Sequence, residues 1–140
     1  RSCLVRGLGD VYKRQVLLLD RISPQKLTLR VAPTSEDKQV YEHLLIEHIN
    51  AEFDHNITQQ IYISENLWNV MLLAKNATIQ IIHKLSTEEK VTSASSLREA
   101  ILSEFMNKPT PSSNAVSHLV NEISILSGSS IIIYSLAEIL

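Results

Sequence analysis

The stretch Gln60–Leu85, QIYISENLWNVMLLAKNATIQIIHKL, is the longest continuous hydrophobic pattern in the chain, and its reading decides the fold. Ser64 can accept from an otherwise orphaned N–H in the first turn of a helix, and Glu65 suits the positive end of the helix dipole. At 100° per residue, Leu67, Trp68, Val70, Met71, Leu73, Ala74, Ala77, Ile79, Ile81, Ile82 and Leu85 cover well over half the cylinder. A surface helix shows one apolar stripe, whereas so wide a pattern predicts burial from several sides. Gross burial is worth roughly 15–30 kcal/mol. Ordering each residue costs about 1–2 kcal/mol. Other elements are therefore expected to wrap this helix.

The face left over is narrow and uncharged for most of its length. Glu65, Asn69, Asn76, Gln80 and His83 fall on one line along the helix. One reading is a solvated strip between packed neighbours. The other is a partner contact, because Asn69, Asn76 and His83 stand in heptad register like polar seam positions of paired helices.

The chain has 140 residues, enough for one domain with its own core and no metal or disulfide staple. Hydrophobic residues make up 44% and charged residues 20%, the balance of an ordinary globular protein. No apolar run approaches the roughly 18 residues that would span a bilayer, so no membrane partner is expected. Three glycines, Gly7, Gly9 and Gly128, leave no material for a glycine-rich phosphate cradle. GxGxxG, P-loop and GxSxG patterns are likewise missing, so no cofactor and no catalytic residue is assigned.

The first fifteen residues, RSCLVRGLGDVYKRQ, resemble translated sequencing-adapter read-through. The resemblance is confined to Arg1–Gln15 and is most specific at GDVYKRQ; a short basic arm is the other reading. Taken as a non-native leader, residues 1–15 are set aside from fold reasoning. The remaining chain then carries 9 basic and 14 acidic residues, and the net charge moves from −2 to −5. An acidic chain lacks the electrostatic footprint of nucleic-acid binding. The one cysteine, Cys3, goes with the leader, which fits a cytoplasmic protein. On this view the chain is a fragment of a larger protein, cut at the C-terminus as well.

In chain order, Val16–Asp20 (VLLLD) is a short apolar run. Leu27, Leu29 and Val31 then alternate with Thr28 and Arg30, the period of a half-buried strand. With Pro24 at a turn, a hairpin is predicted. Thr34 and Asp37 open a helix to about Phe53, with Val40, Tyr41, Leu44, Leu45, Ile49 and Phe53 inward. Ile57, Ile61 and Ile63 alternate as a third strand. The expectation is an α+β fold: a small sheet, hairpin plus third strand, against the long central helix, with residues 16–86 as a ββαβα core. Residues 87–140 form a helical C-terminal region. There Ser96 with Glu99 caps one helix, and Ala115–Leu126 forms another that stops at Gly128. Residues 130–140 fit a strand or a helix.

Chemistry is sparse. His43 with Glu47, and His48 with Glu52, have the i,i+4 spacing of metal ligands, but the pairs point about 140° apart and no metal site is assigned. The sequence supports a non-catalytic interaction or regulatory module, with a protein partner or a second copy as company and nucleic acid disfavoured. An alternative is a winged-helix DNA-binding regulator built from residues 96–136, reading DNA through Lys108, Ser112, Ser113, Asn114, Ser117 and His118. A third is one piece of a larger enzyme.

Overall fold

The computed structural model describes residues 2–56, 64–106 and 108–127, with side chains described for 12–56, 64–106 and 108–121. The described residues hold six helices: α1 (Ser2–Arg21), α2 (Pro24–Arg30), α3 (Lys38–Asn56), α4 (Glu65–Ser86), α5 (Ala94–Glu104) and α6 (Pro111–Ser127). Among them there is no strand and no sheet. The expected α+β architecture is thereby corrected to an all-helical one.

Both strands of the expected hairpin are helices. VLLLD has no period of its own, but Tyr12, Val16 and Leu19 of α1 are buried at helical steps, with Ile22 buried just past its end. Setting aside the residues before Val16 removed the half of the pattern that carries the period. In α2, a strand would put Leu27, Leu29 and Val31 on one face. Instead Leu27 and Thr28 are buried while Leu29 is 70% exposed. Pro24 stands not in a hairpin turn but at the start of this helix, where its fixed φ is pre-organised and its missing N–H costs nothing. The Thr28 hydroxyl donates back to Pro24 O at 2.7 Å. The third expected strand, Ile57–Ile63, and the tail 130–140 lie outside the described residues.

α3 begins later than expected. Asp37 rather than Thr34 holds its first turn, with Asp37 Oδ1 accepting from Gln39 N at 2.9 Å. Its inward stripe is narrow: Tyr41, Leu45, Ile49 and Phe53 are buried, while Val40 is exposed. α5 is capped one turn earlier than Ser96–Glu99 would place it. Ser93 and Ser96 form a reciprocal capping box, Ser93 accepting from Ser96 N and Ser96 from Ser93 N.

α4 is the helix the others surround. Ser64 Oγ accepts from Leu67 N at 3.1 Å, as its position predicts. α3, α5 and α6 all pack on α4, and α6 also packs on α1. Leu67, Trp68, Met71, Ala74, Ile82 and Leu85 of α4 are buried in one continuous core shared with the other five helices. Trp68 meets Phe53 of α3 at 6.1 Å between ring centroids, and the Lys75 ammonium lies 5.3 Å over the Phe53 ring. Neighbours cover α4 on most sides but not on all. One face stays open.

Candidate functional site

The open face of α4 carries the polar strip. Glu65, Asn69, Asn76, Gln80 and His83 are all exposed, as is Asn66. Leu73, expected in the core, is 67% exposed and sits in the middle of the strip. Hydrophobicity alone predicts its burial, but the described helices leave that side of α4 uncovered. The exposed sequence is then Asn66, Asn69, Leu73, Asn76, Gln80, His83, at alternating steps of three and four. That spacing matches the a/d repeat of paired helices, with Asn66, Leu73 and Gln80 at one repeat position and Asn69, Asn76 and His83 at the other. The opposite positions, Met71, Thr78 and Leu85, are buried.

Within this seam only His83 is tied down among the described residues. Its Nδ1 donates to Glu42 Oε1 of α3 at 2.6 Å, because a carboxylate can only accept. Glu42 Oε2 takes a second bond from Ser86 Oγ at 2.9 Å. The imidazole is therefore held at one end of the face. Asn66, Asn69, Asn76 and Gln80 make no side-chain hydrogen bond among the described residues, so their donors and acceptors point outward unused.

The six residues considered for DNA reading do not share one surface. Lys108 is exposed and paired with Glu104 at 3.2 Å, and Ser112 is buried. Ser113 closes on Thr110, donating its N–H to Thr110 Oγ1 and accepting from Thr110 N, both at 3.0 Å. Asn114, Ser117 and His118 lie exposed along α6. α5 packs on α2, α3 and α4, whereas α6 packs on α4 and α1, so the two do not form the close pair of a helix-turn-helix. The wing of that reading, SIIIYSL at residues 130–136, lies outside the described residues.

A cavity of about 370 Å³ opens between the start of α6 and the α1–α2 turn. Its polar rim is self-satisfied: Lys26 bonds Asp20 at 2.7 Å and Gln25 Nε2 donates to Phe105 O at 2.7 Å. Ser112 Oγ on that rim is buried without a hydrogen-bond partner among the described residues.

The imidazole–carboxylate pairs of α3 stay apart. His43, Glu47 and His48 are exposed, while Glu52 is held by Arg21 at 2.6 Å and by Arg30 at 3.7 Å. Among the described residues no three His, Cys, Asp or Glu side chains come together. Arg30 is pushed below its ordinary range by burial first and by Arg21 second, with Glu52 opposing. This ion cluster ties α1, α2 and α3 together. Nothing in the sequence flagged it, because its three members are far apart along the chain.

Among the described residues, six packed helices around one continuous core define a small all-helical domain. The chain belongs to the family of unknown function DUF7935, whose model matches residues 10–126. No curated protein and no solved structure matches it. Among the described residues no helix is long and apolar enough to cross a membrane.

Proposed function

We propose that this chain is a non-catalytic interaction module that docks a protein partner on the open face of α4. The observation that supports the reading is Leu73. A large apolar side chain, 67% exposed, stands at the centre of a line of unpaired amides in heptad spacing. Desolvated aromatic or aliphatic anchors ringed by polar groups are how interfaces concentrate their energy. Apart from Lys84, the described outer faces of α4 and α6 offer amides, hydroxyls and imidazoles where a DNA surface needs arginine and lysine, which favours a protein over a nucleic acid. We assign the module to the cytoplasm, since a single cysteine supplies no disulfide framework.

The test places a photo-reactive residue at position 73 of the full chain, inside the cell that makes it. A discrete cross-linked product that disappears when Asn69→Glu and Asn76→Glu are added supports docking on this face. Cross-linking indistinguishable from that of an exposed control position on α3, such as His48, overturns it.

A further inference from the structure

The α4 seam is uncharged along its length but not at its ends. Glu65 lies in the first turn, and His83 and Lys84 lie in the last. We propose that the occupant of this face is a second copy of the chain, with its α4 laid antiparallel about a two-fold axis passing between Leu73 and Asn76. The proposal rests on the reading that α4 is a docking face, and adds to it the partner and the register.

Three observations choose this partner. The first is the chemistry of the layers. In the antiparallel register Asn69 faces Gln80 of the second copy, Leu73 faces Asn76, and Asn66 faces His83. A primary amide both donates and accepts, so an Asn–Gln layer satisfies itself, which a Lys- or Glu-lined seam opposite its own copy cannot do. The two Leu73 side chains meet beside the axis and exclude water at the centre, where a single anchor is worth most.

The second is the placement of the two ends. Glu65 and His83 are 18 residues apart, about five turns, so they stand at the same angle on α4. A two-fold axis perpendicular to antiparallel helices keeps each flank facing its own copy, which brings Glu65 to His83 at both ends. A parallel arrangement would instead stack His83 on His83 and bring the two Lys84 residues to one level. Antiparallel helices also oppose their macrodipoles.

The third is the apolar flank. Leu72 and Ile79 are only partly buried on one side of the seam, and in this register each meets the other across the axis. The pairing thus covers apolar area beyond Leu73 without disturbing the core. His83 is already held by Glu42, so the end layer is positioned before association.

With one aliphatic anchor and mostly amide layers, the dimer is weak, with a dissociation constant on the order of 10–100 µM. Sedimentation equilibrium of the full chain carrying Cys3→Ser is expected to show monomer and dimer in this range. Leu73→Glu should weaken the dimer roughly tenfold or more, with helical circular dichroism and Trp68 emission unchanged. A chain that stays monomeric to about 1 mM overturns the second copy as occupant. The register is read by cysteine pairs in the Cys3→Ser background. Asn69→Cys combined with Gln80→Cys should give an oxidised covalent dimer, whereas Asn69→Cys alone should not. Cross-linking by the single Asn69→Cys variant means a parallel pair and overturns the antiparallel register. Capture of a different protein at position 73, with no self-association, overturns this inference while leaving the docking face standing.

Discussion

At the scale of single residues, buried polar groups are the most exposed to test. Gln15 is fully buried, and neither its Nε2 nor its Oε1 has a hydrogen-bond partner among the described residues. An unsatisfied amide in an apolar interior costs about 1–3 kcal/mol. Gln15→Met, which conserves shape and removes the polar atoms, is expected to raise stability by about 1 kcal/mol in urea unfolding. A loss of stability would mean that Gln15 has a partner that matters. Tyr41 is the opposite case, a buried hydroxyl that is satisfied, donating to Val31 O at 2.8 Å. Tyr41→Phe strands that carbonyl and is expected to cost about 1–2 kcal/mol. Burial also raises the Tyr41 phenol above its ordinary 10.0, with the charge of Arg98 partly offsetting. A proton held more tightly in the folded chain stabilises it fully below the unfolded value and is lost as pH climbs through the folded one. Stability of the wild type should therefore fall more steeply than that of Tyr41→Phe above about pH 10, read as the difference between their urea midpoints.

At the scale of elements, α2 separates two hydrophobic periods. A strand over residues 27–31 needs Leu29 inside, and the helix puts it outside at 70% exposure. Leu29→Lys should change stability by less than about 0.5 kcal/mol. Leu27→Ala should cost about 2–5 kcal/mol, because Leu27 is fully buried. Equal and large losses at both positions would restore the strand. The same contrast explains why the period-2 reading failed. Three alternating apolar residues fit a strand, but they fit equally well a short helix that buries Leu27, Thr28 and Val31, with Pro24 as its first residue. Caps were more legible. Ser64 heads α4 as its chemistry requires, whereas in the serine-rich run Thr92–Ser96 several caps compete, and the Ser93–Ser96 pair wins.

At the scale of the molecule, α1 packs on α6 and α3, so its anchoring side chains belong to the common core. Tyr12 lies within the segment that resembles adapter read-through, yet it is 1% exposed, and the family match begins at residue 10. Tyr12→Ala is expected to cost about 3 kcal/mol, with Trp68, the one tryptophan, reporting unfolding through its emission. A neutral Tyr12→Ala would detach the segment from the fold. The amphipathic signal of α4, its N-cap and its polar line could be read from residues 64–85 alone, because each depends on neighbours within one or two helical turns. The helical state of residues 16–31 and the exposure of Leu73 could not. A short apolar run acquires a period only from the elements packed against it, and which side of a hydrophobic helix meets water is settled by where its neighbours stop.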